Sequence, residues 1–237
     1  MKLLALDSSA VTASVAILDN DKLIGEFFVN TKQTHSQTLM PMVHALLASS
    51  KTNLKEIDIF AVSAGPGSFT GVRIGVSCIK GMAFAQEKPC MGISTLESMA
   101  FPLSSLNGII CGVMDARCQQ VYSGLFRVQN GQVERIGHDC AVALIDLANL
   151  LKQYVEETIY LVGDGAQLCK QSEAFSLLPV QLVPEHLRYQ RAVGVAQCAA
   201  AQLKQGVPTV TAERLAPNYL RLPQAERELK KKLEGIR

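Results

Sequence analysis

Residues 2–7, KLLALD, are an apolar run closed by an aspartate, the pattern of a strand buried on both faces. TASVAILD at 12–19 and NDKLIGEFFV at 20–29 read as two more strands, joined at the turn-forming Asp19-Asn20-Asp21, so the chain opens as a meander. From Ser36 to Ser50 the period becomes helical: Leu39, Met42, Val43 and Leu46 share one face, with Pro41 tolerable near the first turn. IDIFAVSA at 57–64 predicts the next strand. The glycine-rich AGPGSFTG follows, and a helix is predicted over about 70–86.

The same order recurs farther on. LLALDSSAVTASVAIL at 3–18 set against CGVMDARCQQVYSGLF at 111–126 superposes Asp7 on Asp115 at a constant offset of 108, strand upon strand, and each copy then reaches a turn, DND or QNG. Identity is too low to establish a repeat by itself, yet strand, aspartate, hairpin turn and third strand return in one order, which predicts a duplicated two-lobed α/β fold. An amphipathic helix is expected over 142–155, a strand ending in glycines at TIYLVGDGA (158–166), and a small-residue helix over 192–206 stopped by Gly206. The expected division is an N-terminal lobe at 1–105, a C-terminal lobe at 106–221 and a charged tail at 222–237, where Leu229, Leu233 and Ile236 make a narrow stripe suited to a docked terminal helix.

Composition narrows the function classes. At 48% hydrophobic and 19% charged, the 237 residues belong to a soluble globular class, and a net charge of +2 gives no field strong enough for nonspecific nucleic-acid binding. Seven cysteines without a C-x-x-C pair indicate neither a disulfide framework nor a zinc site, and are expected to be buried reduced thiols. Asp7 interrupts the N-terminal apolar segment too early for a signal peptide, and no later run reaches the roughly 18 residues of a membrane span. A cytoplasmic protein without membrane contact is expected.

The glycine loop fails both standard nucleotide motifs. Gly71 is followed by Val72 and Arg73 rather than Lys and Ser/Thr, and Gly65, Gly67 and Gly71 are spaced G-x-G-x-x-x-G. Two readings remain: an anion site of backbone N–H groups at a helix start, or a tight turn that lets the helix lie close to its sheet. Asp7-Ser8-Ser9 is equally double, either a metal-phosphate ligand or an aspartate capping its own turn. Asp7, Ser8, Ser9, Gly65, Gly67 and Ser68 are therefore the candidate phosphate-binding set. His35 and His44 stand nine apart, off the i, i+4 spacing of a metal pair, and no catalytic triad is recognisable. No catalytic or metal-ligating residue is assigned.

The helix after the loop has a peculiar composition. Arg73, Ser77 and Lys80 form one narrow polar strip, and almost everything else from Gly71 to Ala85 is apolar or small, so the helix needs cover on two sides. The 36–50 helix is similarly over-apolar. Either both are buried inside a large monomer or a partner completes the layer, with Leu39, Met42, Val43, Leu46, Val72, Val76 and Ile79 as the candidate contacts.

LLALDSSAVTASVAI, THSQTLMPMV, AGPGSFTGVRIG, GVMDARCQQVY and APNYLR together closely resemble the bacterial TsaB family, over positions 3–221. The resemblance implies the two-lobed actin/hexokinase/sugar-kinase-like fold with duplicated mixed-sheet lobes. It also implies a non-catalytic accessory role in tRNA threonylcarbamoyladenosine synthesis, beside the catalytic paralogue TsaD and the ATPase TsaE. In TsaD the helix matching HSQTLMPMVH carries two metal-binding histidines one turn apart, whereas here Leu39 stands four residues after His35, so no metal is expected. Serines at positions 8 and 9, where the fold's first phosphate loop has glycine, argue against ATP in this chain's own cleft and leave ATP, ADP and magnesium to the complex. Further implied are a homodimer when alone and indirect contact with tRNA. The alternative is a small-molecule phosphotransferase of the same fold, using Asp7, Ser8 and the 65–71 loop on ATP. A peptidase label attached to relatives has no residue support.

Overall fold

The computed structural model describes residues 1–31 and 33–221; the stripe Leu229, Leu233 and Ile236 lies outside the described residues. The chain opens with β1 (Lys2–Asp7), β2 (Ala13–Asp19) and β3 (Lys22–Val29), then α1 (His35–Ser50), β4 (Ile59–Gly65), α2 (Phe69–Gln86), β5 (Cys90–Ser94) and the short α3 (Thr95–Ser98). Five of these form one sheet in the order β3-β2-β1-β4-β5, with β1, β4 and β5 parallel and β2 antiparallel to β1 and β3. Pro41 sits in the second turn of α1 rather than the first.

A second sheet repeats the plan. Its elements are β6 (Gly108–Asp115), β7 (Gln120–Gln129), β8 (Gln132–Arg135), β9 (Cys140–Ala143), α4 (Leu144–Leu151), β10 (Ile159–Val162), α5 (Ala166–Gln171), β11 (Val180–Leu182), α6 (Glu185–Arg188) and α7 (Ala192–Lys204). The strand order β8-β7-β6-β10-β11 is that of the first sheet with the antiparallel meander again on one side, and β9 adds to β7. The hairpin turns fall at the expected places, with positive φ at Asn20 in the first lobe and at Asn130 and Gly131 in the second. The two sheets thus repeat one mixed α/β plan, the duplicated two-lobed arrangement expected from the recurrence of strand, aspartate and hairpin. The helix expected over 142–155 is shorter: Ala141 and Val142 pair with Tyr122 and Val121 as strand, and the α-helix ends at Leu151.

Alternation along β1 explains its unbroken apolar run. Leu4 and Leu6 point to the side covered by α1 and α2, while Leu3 and Ala5 point to the side covered by α7. The 192–206 helix, numbered with the C-terminal lobe in sequence, thus packs on the N-terminal sheet, its Ala192, Val195, Ala196 and Ala199 filling the face that Ala16, Ala61 and Ile93 share. Small residues let this helix lie close, which is why its composition is alanine-rich. Residues 207–221 then form an extended strap along the N-terminal lobe: Val210 and Cys90 exchange both backbone hydrogen bonds, and Ala212 and Leu215 enter the core below α2. A polar network ties the lobes together. Arg135 of β8 bridges Asp139 and Glu97, and Gln202 of α7 donates to the same Glu97 at 3.4 Å.

Candidate functional site

Asp7 ends β1, is fully buried, and spends its carboxylate inside the protein. Oδ1 accepts from the Ser9 backbone N–H at 2.9 Å and from the Ser9 hydroxyl at 2.8 Å, and Oδ2 accepts from the Ser63 hydroxyl. Burial pushes its carboxyl above the ordinary range, opposed by those same hydrogen bonds. Ser8 is equally committed, its hydroxyl donating to the Gly71 carbonyl at 2.9 Å.

The glycine loop closes over this turn. The Ser68 N–H donates to the Ser9 carbonyl at 2.7 Å, and Ser68 caps α2 by accepting from the Gly71 N–H at 3.3 Å. A Cβ on Gly67 would stand 2.4 Å from the Ser9 carbonyl oxygen, and one on Gly71 would stand 2.1 Å from that of Ser8. Glycine is required here because two backbones touch, and the tight-turn reading accounts for both positions. A phosphate could reach Asp7 only by breaking the Ser68–Ser9 and Ser8–Gly71 bonds, so these residues do not fit a nucleotide phosphate bound at that aspartate.

An open cleft of about 430 Å3 does lie between the lobes, one step farther out. Ser9, Gly67 and Ser68 form its first wall, Asp115, Arg117 and Asp164 its second, and Asn218, Tyr219 and Arg221 of the strap its rim. Asp7, Ser8 and Gly65 do not line it. Asp164 receives the Gln190 amide at 2.8 Å, and burial raises its carboxyl above the ordinary range, with Asp115 adding to the rise. Arg117 lies in a run with Cys118 and Gln119 of three successive positive-φ residues, a strained hairpin loop that turns its guanidinium back onto Asp115 at 3.2 Å. The strap is anchored by the α2 strip that sequence singled out: Lys80 donates to the Glu213 and Leu215 carbonyls, both at 3.1 Å, and Arg73 Nε donates to the Tyr219 hydroxyl at 2.7 Å. The Asn218 N–H donates to the Ala64 carbonyl at 2.6 Å, and Arg221 crosses to the second lobe by donating to the Ala116 carbonyl at 3.0 Å. Asn218, Tyr219 and Arg221 carry no chemical motif of their own. Only the APNYLR resemblance marked them.

The seven apolar residues expected at a partner contact require a correction. Leu39, Met42, Val43, Leu46, Val72, Val76 and Ile79 are all buried in the core between α1, α2 and the sheet, because covering β1 and β4 takes one apolar face from each of the two helices. Their side chains cannot meet a partner in this fold. The outward face of α1 carries Gln37, Met40, Pro41, His44 and Ala48, and that of α2 carries Ser77, Gly81, Phe84 and Ala85. It has no charged residue on α1 at all, and the two on α2 are turned to the strap.

His35 Nε2 is 2.7 Å from the Ala10 carbonyl, and the ring touches the α2 start near Gly71, while His44 is exposed on α1. The position one turn after His35 is the fully buried Leu39. Among the described residues no three His, Cys, Asp or Glu side chains gather as metal ligands, and no helix is long and apolar enough to cross a membrane. Cys90, Cys111, Cys169 and Cys198 are buried, and burial pushes the Cys111 thiol up to about 12 and the Cys90 thiol up to about 11. Cys118 and Cys140 are exposed, contrary to the expectation of uniformly buried thiols, because they lie on the loop before β7 and on the edge strand β9.

Comparison with known proteins agrees with this geometry. A family model described as TsaD, tRNA N6-adenosine threonylcarbamoyltransferase, matches residues 23–229. The tRNA threonylcarbamoyladenosine biosynthesis protein TsaB of Bacillus subtilis (strain 168) is 32% identical over 232 residues, spanning 95% of this chain and 96% of that protein. The Escherichia coli (strain K12) protein of the same description is 39% identical over 134 residues, 55% of this chain and 58% of its own length. A Pseudomonas aeruginosa crystal structure, described as similar to the peptidase YEAZ, superposes with a TM-score of 0.79 at 26% identity over 93% of this chain and 99% of that one.

Proposed function

Since the chain belongs to the TsaB family, we propose that it serves tRNA N6-threonylcarbamoyladenosine formation as a non-catalytic scaffold and activator that binds a TsaD-type catalytic subunit and a TsaE-type ATPase. The observation that carries this reading is the outer face of α1 and α2: two adjacent helices, together 34 residues long, expose Met40, Pro41, Gly81 and Phe84, α1 carries no Asp, Glu, Lys or Arg, and Arg73 and Lys80 of α2 lie on its strap side. A monomer's surface helix normally mixes both signs of charge on its solvent side. Such a pair, with small residues Ser77, Gly81 and Ala85 on α2, suits close packing against a second helical pair, either another copy of this chain or the paralogous catalytic subunit. Homodimer and heterodimer then exclude one another. The cleft supports the same reading by what its wall is committed to. Asp7, Ser8 and Ser68 are spent on holding the turn to the loop, so the phosphotransferase alternative has no free carboxylate at its first phosphate position.

Reconstitution tests the proposal. The chain alone should show no ATP turnover and no transfer to tRNA, and adding it to a TsaD-type subunit with TsaE and a threonylcarbamoyl donor should raise tRNA modification. ATP turnover by the isolated chain that Asp7→Ala abolishes would establish the phosphotransferase instead.

A further inference from the structure

Arg73 is held in a way that its own packing does not require. It stands one turn after Phe69 on α2, with its guanidinium carbon 3.8 Å from the Phe69 ring centroid, and Phe69 stacks on Tyr219 at 4.8 Å between centroids. Nε is fixed by the Tyr219 hydroxyl at 2.7 Å. Stacking sets the plane of the guanidinium and the hydrogen bond sets its rotation, so the two Nη groups form an oriented fork. Neither makes a hydrogen bond or ion pair with another described residue, and Arg73 is exposed. Such a fork matches two oxygens of a phosphate or a carboxylate.

The surroundings choose between them. Lys80 of α2, which donates to the Glu213 and Leu215 carbonyls, and Arg214 and Arg221 of the strap, the latter donating to the Ala116 carbonyl, add cations along the strap that Arg73 holds, and among the described residues none of the four cations has a carboxylate partner within ion-pair distance. The acids beside the strip are Glu213, whose carboxyl is held below the ordinary range chiefly by a Thr211 hydrogen bond with Lys80 a minor contributor, and Asp115, already paired with Arg117. In sequence the chain continues with Arg227, Lys230, Lys231, Lys232 and Arg237 against Glu226, Glu228 and Glu234. A single protein carboxylate would occupy one fork. Repeated cations along an extended line match the repeated phosphates of RNA, while Phe69, stacked between Arg73 and Tyr219, serves to fix the guanidinium rather than to receive a base. We infer that the α2 and strap edge at the cleft mouth is a direct RNA-binding strip, in which Arg73 takes a phosphodiester and Tyr219 positions it. This deepens the tRNA-modification reading and rests on it for the identity of the RNA.

The test uses the full chain, alone and bound to a TsaD-type subunit, with a labelled unmodified tRNA transcript followed by fluorescence anisotropy across a salt series. Arg73→Gln, Arg214→Gln and Arg221→Gln should each weaken binding about threefold to tenfold and lower the salt slope by about one. Tyr219→Phe keeps every charge, so it should weaken binding while leaving the slope unchanged, which a purely electrostatic or structural role would not do. Thermal melts confirm that each variant is folded. RNA binding equal to the parent's in all four variants, or no RNA binding by the parent in either state, overturns the inference. So does an Arg73→Gln variant that binds RNA normally but loses the TsaD-type subunit, since the fork then meets a protein carboxylate. Failure of the chain to stimulate modification in reconstitution would count against the scaffold reading and leave the anisotropy result to decide this one.

Discussion

Asp7 and Asp115 end the first strands of the two sheets, and each accepts a hydrogen bond from the backbone N–H two residues on, Ser9 at 2.9 Å and Arg117 at 2.7 Å. The same turn is built twice, and burial divides the pair. Asp7 is sealed under the glycine loop, while Asp115 faces the cleft and holds a guanidinium. One turn geometry thus serves as a structural knot in one lobe and as a cleft-facing feature in the other.

That difference makes the pH dependence of Asp7 readable. Its carboxyl is raised, so the stability it contributes is fully present below the unfolded-state value of about 4 and is lost as pH rises through the folded value. Asp7→Asn keeps an acceptor for the Ser9 N–H and removes the buried charge. The variant should therefore lose ground to the parent as pH falls toward 4 and gain ground as it rises, measured by urea denaturation at a series of pH values. A parallel pH profile for both proteins would show that the hydrogen bonds fully offset burial.

Gly67→Ala and Gly71→Ala should each cost more than about 2 kcal/mol, since the added carbon meets backbone oxygens of Ser9 and Ser8 that cannot swing aside. The loss is expected as a lower midpoint of unfolding. Variants that melt like the parent would mean the loop and the serine turn separate at little cost.

Substitutions on the interface helices should sort by face. Met40→Glu and Gly81→Glu point outward, Gly81 into open space, and should weaken association with itself and with a TsaD-type subunit at least tenfold, about 1.4 kcal/mol, without lowering the melting temperature. Leu39→Glu and Val76→Glu place a charge in the core and should unfold the lobe. Sedimentation and calorimetric titration read the first pair and circular dichroism the second. Unchanged association for both outward variants would remove this face from consideration.

Glu26→Gln tests how α7 is held. The carboxylate of Glu26, on β3, accepts from the Ser14 hydroxyl, from Arg191 Nη2 at 2.6 Å and from the Val193 N–H at the start of α7. Arg191 is about a quarter exposed, so solvent relieves part of the broken pair, and a loss of about 1 to 3 kcal/mol in chemical denaturation is expected. No change would place the cost of burying Glu26 above its gain.

The lobes, their meanders and the glycine turn were legible because each rests on local pattern: two-residue alternation, turn residues at Asn20 and Asn130, and helical spacing at Leu39 and Val72. Which helix face points outward was not. An over-apolar wheel looks the same whether its second side meets a partner or its own chain, and here Arg73 and Lys80 turn to a strap that lies about 140 residues farther along. The cleft rim at Asn218, Tyr219 and Arg221 stood out only through the resemblance of APNYLR, since no pattern near it in sequence announces the distant loop it borders. Val142 misled because a β-branched residue at a helix boundary fits either period, and its pairing with Val121 decided the matter.

The position of α7 sets an order of events on the ribosome. Among the described residues, the face of the first sheet formed by Leu3, Ala16, Ile59 and Met91 is covered chiefly by α7, a helix that ends at Lys204, with Phe101 packed against the same cluster. A nascent chain that has completed β5 therefore carries a five-stranded sheet with one side bare, and it must wait for the whole second lobe to be synthesised before that side is closed. Messages truncated anywhere before α7 yield an exposed apolar sheet rather than a usable half-protein, a substrate for chaperones and proteases.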